Sequence, residues 1–526
     1  MIKNPIIRGF NPDPSICLAG RDFYIATSTF EWYPGVQIYH SRDLVHWRLL
    51  THALNDPRLL SLRGVPSSGG VWAPALSHDN GTFYLCYTIV QQHESVTKDT
   101  PNYLTTADSI EGPWSTPSFM NASGFDPSLF HDDDGRKFWL NMVWDHRPGR
   151  HPFYGISIQE LDAEQGRLLG EPKIIFKGSP LGYTEGPHLY KRNGWYYLLT
   201  AEGGTGYDHA VTVARSRDVA GPYEMHPRNP ILTSKGLPES RLQKAGHGSL
   251  VSTTTGEWYL AHLCSRPLPG SGRCNLGRET AIQRIEWQED EWPDLSHGNN
   301  HPLQMVESPN LPEHHWPSLP QRVPFESIHY AIPRGPTSKV VRHPDFLELK
   351  GAGSLESCFE QAMLARRLDC HELTATTCLH FEPKSFQQQA GLAAYYNNHL
   401  FHYLYLSRDE DLGPCLQIHS CDDGASTFPL GPNIVATPHS KLFLRLVIAG
   451  KDLQFCWSPD GIDFQAIGPV LDASILSDDY GKYWGFTGTF IALACQDLTG
   501  AGLSAKFDFL EFTEPDNETL PCNSAT

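Results

Sequence analysis

Five times in the first half of this chain, a short motif ending in an aliphatic residue leads into a Gly-containing polar turn and then an aromatic-rich run. The motifs are Asp13-Pro14-Ser15-Ile16, Ala73-Pro74-Ala75-Leu76, Asp126-Pro127-Ser128-Leu129, Gly186-Pro187-His188-Leu189 and Gly248-Ser249-Leu250. The anchors Ile16, Leu76, Leu129, Leu189 and Leu250 are 60, 53, 60 and 61 residues apart, and Tyr24, Tyr84, Trp139, Tyr197 and Tyr259 follow them in step. Most units continue into a second pair of strand-like runs, such as Val36-Gln37-Ile38-Tyr39 or Val211-Thr212-Val213-Ala214. About four short strands per repeat describe a blade, so the spacing predicts a five-bladed β-propeller.

A propeller lines its central channel with the first strand of every blade, so equivalent repeat positions converge on one axis. Asp13, Asp126 and His247 each lie three residues before their anchor, and Glu185 lies one residue earlier still. Packing explains repeated apolar residues but not repeated carboxylates. Acidic groups crowded in a channel repel and lose solvation, which raises at least one pKa and separates an ionised base from a protonated acid. A single Asp-Pro-Ser is also ordinary turn chemistry. Three acidic groups at repeat spacing call for a further reason.

At 526 residues and 58.9 kDa the chain exceeds one core, and two domains are expected. A formal charge of -18 and a pI near 5.7 argue against nucleic acid or an anionic membrane and favour a neutral or cationic ligand. No run approaches the roughly 20 apolar residues of a membrane span, and Met1-Ile2-Lys3-Asn4-Pro5 lacks a signal-peptide core, so a cytoplasmic location is expected. Of the 12 cysteines, Cys86, Cys378, Cys456 and Cys495 sit in apolar strand-like runs and no Cys-x-x-Cys occurs, which predicts free thiols.

The repeats place a propeller domain over 1–307. A stretch dense in proline, with Pro309, Pro312, Pro317, Pro320 and Pro324, reads as a linker over 308–336. Beyond it, over 337–526, alternating runs return at 346–349, 400–406, 442–448 and 507–512, with turns such as Pro459-Asp460-Gly461. They predict a β-sandwich, making the chain all-β, with a polar tail after Thr513 expected to fray.

Paired carboxylates with aromatic rings at a channel mouth describe a glycosidase site: one group protonates the leaving oxygen, another activates water or attacks, and ring faces hold the sugar. Trp72, Trp144 and Phe30 are the aromatic candidates, each of which also reads as ordinary core. Arg278 can offer a fork of donors to sugar hydroxyls, or simply pair with the adjacent Glu279.

Asn11-Pro12-Asp13-Pro14-Ser15, Trp72-Ala73-Pro74, Gly124-Phe125-Asp126-Pro127-Ser128, Thr184-Glu185-Gly186-Pro187-His188, Gly246-His247-Gly248-Ser249-Leu250 and Gly277-Arg278-Glu279-Thr280 resemble glycoside hydrolase family 43, and more narrowly its two-domain β-xylosidases. The likeness continues in Ser385-Phe386-Gln387-Gln388-Gln389-Ala390-Gly391-Leu392 and Gly485-Phe486-Thr487-Gly488-Thr489-Phe490. The resemblance implies an inverting, exo-acting hydrolase that releases xylose from β-1,4-xylo-oligosaccharides. Asp13 would be the general base, Glu185 the general acid and Asp126 the group that raises and orients the acid. Phe30, Trp72, Trp144, Thr205, His247 and Arg278 would shape the sugar site, with Phe486 of the sandwich at its rim. No cofactor is expected; family relatives raise a calcium near His247, for which one imidazole is a poor argument. The family also tends to oligomers, which leaves a dimer or tetramer open.

Three other readings stay open at this level. An α-L-arabinofuranosidase of the same family would use a similar pocket. Retaining invertase-type propellers would hold their carboxylates about 5–5.5 Å apart rather than about 6.5–9.5 Å, although their usual signatures are absent. A non-catalytic carbohydrate-binding propeller would leave the acidic trio unexplained.

Overall fold

The computed structural model describes residues 1–482 and 485–515, so most of the polar tail lies outside the described residues. Among these residues the chain is built from β-strands, with one short 3-10 turn at Ala473–Ile475 and no helix long and apolar enough to cross a membrane. It divides into two compact units, Met1–Arg266 with Gly277–Pro317, and Pro267–Leu276 with Ser318–Thr526.

The first unit is a five-bladed propeller of antiparallel sheets. Its blades begin with the strands Ser15–Ala19, Gly70–Asp79, Ser128–His131, Glu185–Arg192 and Gln243–Ser252, each an edge from which the sheet runs outward in chain order. In four blades the aromatic of the second strand pairs with the residue after the anchor, as Tyr24 does with Cys17 and Tyr197 with Tyr190. Trp139 instead faces its anchor Leu129 directly. Hydroxyls lace neighbouring inner strands together at the anchors: Leu76 N donates to Ser15 Oγ (2.9 Å), Ile16 N to Ser249 Oγ (3.2 Å) and Leu250 N to the Tyr190 hydroxyl (2.7 Å).

The apolar core of this unit lies between blades rather than on the axis. One cluster joins Tyr24 and Ile38 to Leu76 and Leu85, and another joins Tyr197 and Val213 to Leu250 and Leu260. The N-terminal segment seals the ring, with Ile7 and Thr280 exchanging backbone hydrogen bonds and Asn11 N donating to Arg278 O. Burying apolar faces between sheets leaves the inner strand ends available for polar groups.

The second unit is a β-sandwich. One antiparallel sheet runs Gly413–Asp422, Leu400–Asp409, Gln388–Asn397, Phe490–Asp497, Ala362–Arg367 and Tyr330–Pro333; a seven-stranded sheet is centred on Ser504–Thr513, Glu372–His380 and Lys441–Ala449. In Lys441–Ala449 burial alternates strictly, with Leu442, Leu444, Leu446 and Ile448 inward. The Pro459-Asp460-Gly461 turn joins a hairpin, its Asp460 accepting from Ile462 and Asp463 amides. The proline-rich stretch expected to be a linker is divided: residues up to Pro317 group with the propeller, and Tyr330–Pro333 is a sandwich strand. Proline density hid that short run. All 11 cysteines among the described residues are free thiols.

Candidate active site

The repeat position singled out in the sequence is a backbone kink. Asp13, Asp126, Gly186 and His247, each three residues before its anchor, have φ of 56°, 54°, 57° and 47°. Asp and His are among the few side chains that enter this left-handed region readily, yet each non-glycine there still costs about 1–3 kcal/mol. Strand pairing is irregular at the same level, between Glu185 and His188 and between Gly246 and Gly248. At 186 only glycine serves, because a Cβ would lie 2.8 Å from His247 Nε2. The kink therefore seats the imidazole and leaves Glu185 as that blade's acid.

Asp13 is buried and surrounded by donors. Ser28 Oγ donates to its Oδ2 (2.6 Å), while His247 Nδ1 and an Arg278 guanidinium nitrogen approach its Oδ1 at 3.3 and 3.4 Å. Burial alone would raise this carboxyl; Arg278, His247 and Ser28 together outweigh it and hold Asp13 well below the usual range. Glu185 goes the other way. Part of the residue is exposed, but its carboxyl is enclosed by protein, and burial with the charges of Asp126 and Asp13 raises its pKa well above normal. Asp126, which accepts the Gly186 amide at 3.1 Å, is itself pushed up to about 6 by burial and by Asp13, against His247 and the amide. His247 is also raised, because the bond and charge of Asp13 outweigh its burial. The cluster thus separates an ionised carboxylate from a protonated one.

Arg278 is buried and donates to Thr205 Oγ1 (2.9 Å), with its guanidinium 5.5 Å from the Phe30 ring centre. The neighbouring Glu279 binds Arg266 through two hydrogen bonds of 2.6 and 2.7 Å, while Arg278 turns to Asp13 and Thr205. Beside this group runs a chain of rings: Phe10 to Phe30 (5.8 Å), Phe30 to Trp72 (6.2 Å), Trp72 to Phe125 (5.1 Å), Phe125 to Trp144 (6.2 Å) and Trp144 to Phe153 (5.4 Å). The three aromatic candidates are therefore links in one series.

Sequence reasoning overlooked Phe125, which joins Trp72 to Trp144; its place beside Asp126 was the available signal. It also overlooked Ser28 and Glu202. Buried Glu202 accepts from Ser179 N (2.9 Å) and Thr184 Oγ1 (3.1 Å), and so fastens the turn that enters Glu185. Nothing local distinguishes either residue in the sequence. Phe486 belongs to the second unit, where it is half-buried. A calcium at His247 fits poorly: Nδ1 faces Asp13, Nε2 lies against Gly186, and no close donor cluster among the described residues includes this histidine.

A sequence profile described as glycosyl hydrolases family 43 matches residues 2–293. The chain belongs to glycoside hydrolase family 43. A second profile, described as the beta xylosidase C-terminal concanavalin A-like domain, matches 324–513 and coincides with the sandwich. The chain is 49% identical to a xylosidase/arabinosidase 43B of Humicola insolens, with 97% of each chain covered. It is 46% identical to a xylan 1,3-beta-xylosidase of Vibrio sp, over 98% of this chain and 99% of that one. The crystal structure of a xylan beta-1,4-xylosidase from Bacillus halodurans C-125 superimposes with a TM-score of 0.96 at 47% identity, covering 98% of this chain and all of the other. The motifs named above carry the acidic trio and Arg278, together with Trp72 and Phe125 of the aromatic series.

Proposed function

We propose that this family 43 chain is an inverting exo-β-xylosidase that removes single xylose units from the non-reducing ends of xylo-oligosaccharides. The observation that carries the acid–base reading is one buried cluster in which Ser28, His247 and Arg278 surround Asp13 and hold it low while burial and two neighbouring carboxylates raise Glu185. Inversion and exo action are read from the family 43 β-xylosidase likeness. Asp13, ionised throughout the neutral range, takes a proton from water as its oxygen attacks the anomeric carbon. Glu185 gives its proton to the glycosidic oxygen as that bond breaks. The leaving sugar departs as a neutral alcohol, and the released xylose has the inverted configuration. Asp126 keeps the proton on Glu185 by its charge and holds the Gly186 amide. Arg278 restrains Asp13 and, with Thr205 and the rings of Phe30, Trp72 and Trp144, faces the sugar.

Proton NMR of the first turnovers on a β-xyloside tests the reading: α-xylose is expected first, and initial β-xylose would overturn it. Linkage is a separate matter. Similar relatives bear names for 1,3- and 1,4-cleavage and for arabinosides, so 1,4-cleavage is read from the full-length structural likeness. Turnover of 1,4- against 1,3-linked xylobiose and of nitrophenyl arabinofuranoside measures it.

A further inference from the structure

Away from the catalytic cluster, the propeller unit carries a second group of donors that the hydrolytic reading leaves unused. His46, Glu313 and His315 each offer a ligand atom, and these atoms lie within 4.8 Å of one another. His315 Nε2 is 3.3 Å from Glu313 Oε1, His46 Nε2 is 4.0 Å from the same oxygen, and the two imidazole centres are 4.1 Å apart. We propose that this trio binds a divalent transition metal of the zinc class, which clips the segment 313–316 to the first blade.

The support is chemical and positional. His46 Nδ1 lies 2.7 Å from Oδ2 of the buried Asp43, which also accepts the amides of Val45 (2.9 Å), His46 (2.8 Å) and His314 (2.9 Å). A carboxylate held this firmly binds the Nδ1 proton, fixes the ring and leaves the Nε2 lone pair facing Glu313, the arrangement by which outer carboxylates prepare histidines for metals. The segment bearing the other donors is already docked. Trp316 Nε1 donates to His46 O (3.2 Å), and the Arg48 guanidinium lies 3.9 Å from the Trp316 ring centre. A tetrahedral ion with bonds of about 2.0–2.1 Å holds its donors about 3.3 Å apart, so a small movement of the exposed Glu313 toward His46, with His315 following, closes the site and water supplies the fourth ligand.

Two imidazoles and a carboxylate suit zinc, copper or nickel and not calcium. Of the two further compact clusters among the described residues, Asp369 with Cys370 and Glu514 offers no imidazole, and Cys378 with His380 and Asp508 is less suited to a cation. Its His380 Nε2 is engaged by Asp508 at 2.8 Å, and Lys506 and Lys441 approach the same carboxylate.

The test is calorimetric titration of the full, tag-free, chelator-treated chain with zinc chloride, with a parallel cobalt titration followed by visible absorption. Wild type is expected to bind one equivalent more than His46→Gln or His315→Gln, with nitrophenyl xyloside turnover unchanged in both. Asp43→Asn should keep the stoichiometry and weaken binding about 10–100-fold. His315 is 68% exposed, so its replacement leaves the fold intact. Equal uptake by wild type and His315→Gln would overturn the proposal. So would a thiolate charge-transfer band with the first cobalt equivalent, which would place the metal on a cysteine.

Discussion

The sandwich strand Lys441–Ala449 and the inner strand ends of the propeller both bury side chains at regular intervals, for opposite purposes. In the sandwich, Leu442, Leu444, Leu446 and Ile448 alternate inward and are almost wholly buried, as a half-buried strand requires. At the propeller axis the repeated buried positions hold Asp13, Asp126 and His247 in left-handed conformations. The first pattern gains from removing apolar surface from water; the second spends stability to displace pKa values. Regularity in a sequence thus reports either packing or convergence, and residue type tells which.

Exchanging the two kinds of residue gives the sharpest contrast. Asp13→Asn should lower turnover on every xyloside about 10²–10⁴-fold at temperatures where the variant stays folded, with a separate cost in melting temperature because Arg278 and His247 lose their shared carboxylate. Leu444→Ala should cost about 2–5 kcal/mol of stability in the sandwich with little change in kcat below its melting range. Kinetics and calorimetry on both variants check this. A destabilised Asp13→Asn with normal residual turnover would erase the distinction.

Glu185 divides the same comparison by substrate and by pH. Glu185→Ala should damage xylobiose hydrolysis by about 10²–10⁴-fold and an activated aryl xyloside much less, because only the poor leaving group needs the proton. Its raised pKa also has a stability sign. In the unfolded chain Glu185 ionises near pH 4.3, whereas the folded protein retains the proton, so stability falls as pH rises from about 4 toward the folded value. Glu185→Gln should reduce that slope, leaving the part that the raised Asp126 contributes up to about pH 6, and raise the melting temperature at neutral pH. An unchanged slope would show that Glu185 is not the group held protonated.

A subtler change is expected from Asp126→Asn. Removing a neighbouring anion makes ionised Glu185 less unfavourable, so the acid's pKa falls and the alkaline limb of the pH–kcat/KM profile moves toward lower pH. A limb that stays in place, or moves the other way, would assign the raised pKa to burial alone. The smallest stability effect is expected for Phe486→Ala, since this ring is only half-buried. Loss should stay well below the about 3–5 kcal/mol of a core phenylalanine, and xylobiose turnover then reads the rim role that the family resemblance implies. A large fall in melting temperature with normal kinetics would make Phe486 a packing residue.

The sequence by itself determined the repeat number, the strand character of both units and the identity of the acidic trio. These follow from short-range regularities: turn residues at fixed offsets, alternation, and like positions in successive blades. It also placed Arg278 near the acids but left its partner open between Glu279 and a ligand. Only the tertiary structure decided that Glu279 belongs to Arg266, that Arg278 turns to Asp13 and Thr205, and that Ser28 and Glu202 support the two working carboxyls. Likewise Phe125 became part of an aromatic series only when blades two and three brought Trp72 and Trp144 to either side of it. The physical reason is that a pKa depends on which charges and donors lie within a few ångströms, and in this propeller those neighbours come from positions up to 265 residues apart.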